Sequence, residues 1–289
     1  MKLLLVTALL VVLMTSNVLA AVVVLDPGHG GAGTQGSGAI YAPFIEKSLT
    51  LDVAGKVRSE LASAGITVYM TRETDKAMSL EERAAYANSV GADLLVSIHF
   101  NASGTHDKTG SEVWTSLYGN HHVVGSSLGS QILSNFTALG LESKGVKTKL
   151  GSSGDYYGII RNGVSLGIPT VIVEHCFLDN PYDRQILEQK GTDAFAHATA
   201  SGIINFFGTQ TGQALASKAL DVSPPNIATA PVTASGGATF SSLASNFTPA
   251  QWNWLLSQWA YTGRPLEIID SMPLSELKAL VEKHEQGLI

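Results

Sequence analysis

Residues 21–31, AVVVLDPGHGG, constrain this chain more than any other stretch. Five apolar, mostly β-branched residues run into Asp26-Pro27-Gly28, which cannot extend a central strand. The run therefore reads as a buried strand that stops abruptly, with His29 just past its end among glycines. Two later stretches have the same shape: residues 93–98 (DLLVSI) deliver His99, and residues 169–173 (PTVIV) deliver Glu174. Open α/β sheets place chemistry in the crevice at the carboxyl ends of their strands. Three such strands, each ending in a metal-ligand or acid/base residue, point to a common site.

The chain has 289 residues, enough for one catalytic domain and an appendage. Its first twenty residues read as a secretory signal: Lys2 is a minimal basic region, residues 3–14 are apolar, and Val18-Leu19-Ala20 is a small-residue cleavage site. The apolar core is short for a membrane span. The expected location is outside the cytoplasm, in the cell wall or periplasm. A net charge of −6 with no basic block argues against a nucleic-acid partner. The single cysteine, Cys176, excludes an intrachain disulfide framework, so a hydrophobic core or a metal must hold the fold.

Taken in order, residues 30–38 form a Gly-, Ser- and Thr-rich loop without the lysine of a phosphate cradle. Glu46 opens a helix over 47–64, whose apolar positions Leu49, Val53, Val57 and Leu61 recur every four residues and which Gly65 closes. A strand follows at 66–71. Ser79 and Glu82 form a capping box for a helix reaching Ser89. After the strand to Ile98 and a polar loop comes a strand at 111–116, then a helix over 121–139. Residues 146–154 read as loop or edge, Ile159, Ile160 and Arg161 precede the strand ending at Glu174, and residues 183–207 form a long closing helix. The alternation predicts an α/β fold with a mixed, mostly parallel sheet and helices on both faces.

Four segments are expected: a signal peptide at 1–20, a catalytic domain at 21–208, a flexible linker rich in Ser, Thr, Ala, Gly and Pro at 209–245, and a helical appendage at 246–289. In the appendage Thr248 can cap a helix with Pro249 at its first position, and Trp252, Leu255, Leu256 and Trp259 share one face. A second helix over 274–285 turns Leu277, Leu280 and Val281 inward. The two make a hairpin whose apolar face either docks on the catalytic domain or receives a cell-wall or activator protein.

His29, Glu46, His99 and Glu174 are the candidates for chemistry. Two imidazoles and a carboxylate are usual ligands of a catalytic zinc, and another acidic residue can accept the proton of its water and pass it to a leaving amine. Glu46 suits a ligand role because it begins a helix rather than lying on its apolar face. Each residue alone reads more readily as a capping or hydrogen-bonding group; four at one sheet edge do not.

The motifs DPGHGG, Glu46-Lys47 opening a helix, SIHFNAS at 97–103 and VEHCFLDNPYD at 173–183 resemble those of the zinc-dependent N-acetylmuramoyl-L-alanine amidases of bacteria and their phages, as do TRETD (71–75) and SLEER (79–83). The match runs from Val22 to about Phe207. The resemblance implies that His29, Glu46 and His99 bind Zn2+ and that Glu174 is the catalytic base. Its implied substrate is the peptidoglycan amide between the lactyl group of N-acetylmuramic acid and L-alanine. The competing readings are a zinc peptidase cutting within the stem peptide and a non-catalytic peptidoglycan-binding or amidase-regulating protein.

Two positions depart from the family. Cys176 and Asp179 stand where glycine and serine or threonine are frequent. Cys176 would share Glu174's face if the strand continued, but a buried free cysteine is usually inert packing. His175 would point the other way. Asn101 and Arg161 are candidates for orienting the site or binding substrate, without assignment. Asp26 caps the turn rather than touching metal, and His106, His121, His122, His197 and His284 are surface or helix residues.

Overall fold

The computed structural model describes residues 21–220, 246, 251, 255 and 272–286. The expected signal segment, most of the expected linker, and Trp252, Leu256 and Trp259 of the expected first appendage helix lie outside the described residues.

In chain order the elements are β1 (Val22–Pro27), α1 (Thr34–Ser37), β2 (Ile40–Tyr41), β3 (Phe44–Ile45), α2 (Glu46–Ser63), β4 (Thr67–Met70), α3 (Leu80–Ser89), β5 (Leu94–Asn101) and β6 (Ser111–Thr115). They continue with α4 (Gly119–Leu139), β7 (Ser143–Lys147), β8 (Leu150–Gly151), β9 (Gly154–Asp155), α5 (Gly158–Ser165), β10 (Thr170–Phe177), α6 (Pro181–Gly208), α7 (Gln210–Leu220) and α8 (Leu274–Glu285). The main sheet has the order β4-β1-β5-β10-β6-β7. Its first four strands are parallel, β6 runs antiparallel to β10, and β7 is parallel to β6. The sheet is thus mixed and mostly parallel, with helices on both faces.

Strand alternation divides the core in two. Val23 and Leu25 of β1, Val96 and Ile98 of β5, and Val171 and Val173 of β10 turn toward α2, α4 and α6. Val24, Leu95 and Ile172 turn the other way, onto Ala87 of α3 and Ile159 and Ile160 of α5. His99 and Glu174 alternate with the first set, so they emerge on the α3/α5 face at the carboxyl end of the sheet.

Local signals explain the element starts near the site. The capping box of α3 is complete: Glu82 N–H donates to Ser79 Oγ at 3.1 Å, and Ser79 N–H donates to Glu82 Oε2 at 2.7 Å. Asn180 caps α6, which has Pro181 in its first turn.

Ile159, Ile160 and Arg161 do precede β10, and they lie in a helix not read from the sequence, α5, whose apolar pair is buried against the sheet. One expectation needs correction. The segment expected as linker from residue 209 begins instead with helix α7, and Leu215 and Ala216 join the main core. Its Ser- and Gly-rich composition hides an apolar face long enough to dock.

At the C-terminus, α8 buries Leu277 and Val281 with Leu255 and with Tyr118, the residue preceding α4. Among the described residues no helix is long and apolar enough to cross a membrane.

Candidate active site

Four chain segments meet at the carboxyl edge of the sheet. β1 ends at Pro27, and His29 follows in a turn with φ of 63°, a conformation costly for a residue bearing a side chain. A buried polar network holds that turn. Asp26 receives hydrogen bonds from Thr71 Oγ1 (2.6 Å), Ser97 Oγ (2.7 Å) and Arg83 Nη1 (2.6 Å). Arg83 also donates to the carbonyls of Pro27 (2.9 Å) and His29 (2.6 Å), and Arg72 donates to Pro27 O (2.9 Å) and Gly28 O (2.8 Å). Burial would raise the Asp26 carboxyl, but the Arg83 charge and these hydrogen bonds hold it below its usual value. Asp26 therefore anchors the turn through Arg83, and Arg72 clamps it independently through the Pro27 and Gly28 carbonyls. The sequence reading placed TRETD and SLEER as motifs without seeing this role for Arg72 and Arg83.

Glu46, the first residue of α2, turns its carboxylate between the two imidazoles. Oε2 lies 3.1 Å from His29 Nε2, and Oε1 lies 3.0 Å from His99 Nδ1. The same oxygens accept backbone N–H groups of Ala39 (2.8 Å) and Phe100 (3.0 Å), which fix the carboxylate at the helix start. Burial opposes its charge, yet the hydrogen bonds and charges of His29 and His99 depress Glu46 far below the usual carboxylate range. Burial likewise works against a charged His99, but Glu46 raises it to about 9.

The donor atoms of His29, Glu46 and His99 lie within 4.8 Å of one another, and the three could hold a metal ion. Two further observations fit a metal. Gly38 (φ 65°) leaves room beside the set, where a Cβ would run into Glu46 Oε2 and the His29 ring. A nitrogen–nitrogen–oxygen donor set also suits zinc and leaves a coordination position open.

Glu174 is the direct β10 neighbour of His99 on β5. Its Oε2 is buried with no hydrogen-bond partner among the described residues, and burial pushes its carboxyl up to about 8. Glu174, His29, Glu46 and His99 line one cleft of about 610 Å3 with Leu80, Asn101, Tyr157 and Ile159. A second lobe of about 600 Å3 shares His29, His99, Leu80 and Ile159 and extends past Gly30, Ala77 and Met78.

The other candidates fall elsewhere. The pairing of β10 with β5 shifts register between Glu174 and Phe177, which undoes simple alternation. Cys176 consequently joins the main apolar core, fully buried, and burial drives its thiol well above the usual value. It is packing, outside the metal-capable set. His175 is buried too, with Nε2 2.9 Å from Thr199 Oγ1 and its ring stacked on Phe100 at 5.0 Å; burial lowers it to about 4. Asp179 gathers the loop after β5, accepting from Ser103 N–H (3.0 Å), Ser103 Oγ (2.8 Å) and Gly104 N–H (2.9 Å). Arg161 Nη1 donates to Asp155 O at 2.7 Å, and His197 pairs with Glu60 at 2.9 Å on the surface.

Fold and site together define a class: an α/β domain with a mixed, mostly parallel sheet, a two-histidine, one-carboxylate set at its strand ends and a buried carboxyl beside it. The family described as N-acetylmuramoyl-L-alanine amidase matches residues 23–205, and the chain belongs to it. It is 34% identical over 194 residues to the N-acetylmuramoyl-L-alanine amidase LytC of Bacillus subtilis, an alignment covering 66% of this chain and 36% of LytC. Similarity to the probable cell wall amidase LytH of Staphylococcus epidermidis is 28% over 188 residues, 65% of this chain and 58% of LytH. The chain thus spans only part of the length of these relatives. Among solved structures, the catalytic domain of CwlV, an N-acetylmuramoyl-L-alanine amidase of Paenibacillus polymyxa, matches with TM-score 0.56 and 25% identity over 66% of this chain and 99% of that one. The amidase Ami1 of Mycobacterium smegmatis matches with TM-score 0.57 and 26% identity over 68% and 100%.

Proposed function

We propose that the chain is a secreted zinc amidase that hydrolyses the peptidoglycan amide between N-acetylmuramic acid and the L-alanine of the stem peptide. The observation that carries this reading is the convergence of His29, Glu46 and His99 within 4.8 Å, with Glu174 in register beside His99. Family membership supports this choice of substrate, since LytC and CwlV carry that activity in their names.

In this account His29, Glu46 and His99 hold the zinc. Bound there, zinc supplies Lewis-acid polarisation of the carbonyl and a lowered water pKa. Arg72 and Arg83 hold His29 in its strained turn, and the Ala39 and Phe100 N–H groups hold Glu46, so little reorganisation accompanies substrate binding. Glu174 takes a proton from the attacking water at its unpartnered Oε2 and delivers it to the departing alanine nitrogen. Its carboxylate form gains from positive charge at the neighbouring three-residue set. Leu80, Ile159 and Tyr157 line the cleft beside Glu174 and His99.

Glu174→Gln tests the role directly. The expected outcome is a loss of turnover of about 100-fold or more with zinc content unchanged. A variant retaining more than a tenth of the wild-type rate would remove Glu174 from the mechanism. The signal-like composition of residues 1–20 and the cell-wall names of the relatives support action outside the cytoplasm, and helix α8 is a candidate contact for a wall or activator protein.

A further inference from the structure

We propose that Asn101 binds substrate in this cleft, presenting one amide N–H to a carbonyl oxygen of the stem peptide, and that the buried Glu112 positions it. The identity of the ligand rests on the amidase reading; the donor itself is built from the residues below.

The row of functional side chains does not end at Glu174. His99 on β5 pairs with Glu174 on β10, and Glu174 pairs in turn with Glu112 on β6. Directly opposed residues share a face of the sheet, so Glu112 continues the row one strand further from the metal-capable set. It is only 5% exposed. A carboxylate so buried requires partners, and both oxygens have them. Oε1 accepts from Asn101 Nδ2 at 3.0 Å and from Trp114 Nε1 at 2.9 Å, while Oε2 pairs with Lys147. With both oxygens engaged, Glu112 is suited to holding other groups and poorly suited to moving a proton.

The group it holds inside the cleft is Asn101. This residue follows His99 by two positions on β5 and so lies on the same face, about 7 Å further out. Its amide is fixed at both ends: Nδ2 donates to Glu112, and Oδ1 accepts from Ala102 N–H at 2.9 Å. A primary amide carries two N–H donors, and only one is used among the described residues. The second belongs to a side chain that lines the same cleft as Glu174. Glu112 orders the adjoining wall as well, because its partner Trp114 packs at 5.0 Å against Tyr157, another cleft residue.

A fixed N–H selects an acceptor, and a stem peptide offers a carbonyl at each residue. An extended chain advances about 3.3–3.6 Å per residue, so Asn101 meets an oxygen one or two residues from the reacting amide. That contact is made equally in ground state and transition state. Its loss therefore weakens binding and leaves the chemical step nearly intact. Glu112 acts through Asn101 and touches no substrate.

The test combines binding and kinetics on the zinc-loaded full chain. Titration calorimetry with the free stem tripeptide gives a dissociation constant that does not depend on turnover. Steady-state rates on muramoyl-tripeptide separate KM from kcat. Asn101→Ala is expected to weaken tripeptide binding about fivefold or more, and to raise KM by a similar factor with kcat within about twofold. Glu112→Met, which removes the acceptor, should reproduce most of that loss, and the double variant should bind no more than about twofold worse than Asn101→Ala alone. Asn101 is partly exposed, so its truncation tests the donor even where Glu112→Met loosens β6. Wild-type affinity in Asn101→Ala, a fall in kcat at constant KM, or losses that multiply in the double variant would each overturn the proposal. A wild-type chain that binds the tripeptide with the expected pattern, yet releases no L-alanine terminus from muramoyl-tripeptide, would refute the amidase reading and leave this donor standing.

Discussion

Asp26 and Arg83 show how much of this site depends on residues that touch neither metal nor substrate. Their side chains are 2% and 5% exposed, and they pair at 2.6 Å beneath the turn carrying His29. Arg83→Met leaves the Asp26 charge buried with only Thr71 and Ser97, and releases the His29 carbonyl. We expect a loss of about 3–5 kcal/mol in chemical denaturation, together with weaker zinc binding. A change below about 1 kcal/mol would show that the turn does not depend on the pair. The titrating groups of the site make a second prediction at this scale. Both His99, raised to about 9, and Glu174, raised to about 8, keep protons in the folded chain that the unfolded chain has already released. Raised groups favour folding at low pH, so their contribution is lost as pH rises: from 4.5 to about 8 for Glu174, and from 6.5 to about 9 for His99. Glu46, depressed, behaves oppositely and loses its contribution only in acid. In chelator the melting temperature should therefore fall between pH 6.5 and 9, and fall less in Glu174→Gln. Equal slopes in the two chains would contradict this assignment.

At the scale of elements, α3 delivers Arg83 to the turn, so its start matters beyond its own stability. Ser79→Ala removes half of the capping box and should cost about 1 kcal/mol in denaturant unfolding. No measurable change would mean that packing alone sets the start of α3. The elements also show what could be read from the sequence and what could not. β1, β5 and β10 were legible because apolar runs stop at Asp26-Pro27, His99 and Glu174, and the periodicity of α2 placed Glu46 at its head. α5 was not, since Ile159-Ile160 beside a strand gives too few turns for a helical period. Alternation placed His175 correctly, opposite Glu174 and among Phe100, Phe136 and Phe195, but not Cys176, because the register shift after Glu174 is a property of strand pairing rather than of local sequence. Glu112 was read only as part of a strand; its role depends on Asn101, Trp114 and Lys147 arriving from separate positions.

Across the whole molecule, the site sits where two differently covered faces of one sheet meet. Helices α2, α4 and α6 close one face, and α3 and α5 wall the cleft on the other. Helix α7 extends the first layer, so a chain ending at Gly208 should melt at lower temperature than one ending at Leu220, because Leu215 and Ala216 are lost from the core. Identical melting of the two would put α7 outside the folded unit. The central claim concerns the entire chain and its polymer substrate. It is tested most directly by digesting purified peptidoglycan with the protein, with and without a chelator, and reading the released peptides by mass spectrometry. The account predicts stem peptides with free L-alanine amino termini, absent in chelator and restored by added zinc. New termini inside the stem peptide, or release that chelation leaves untouched, would contradict it.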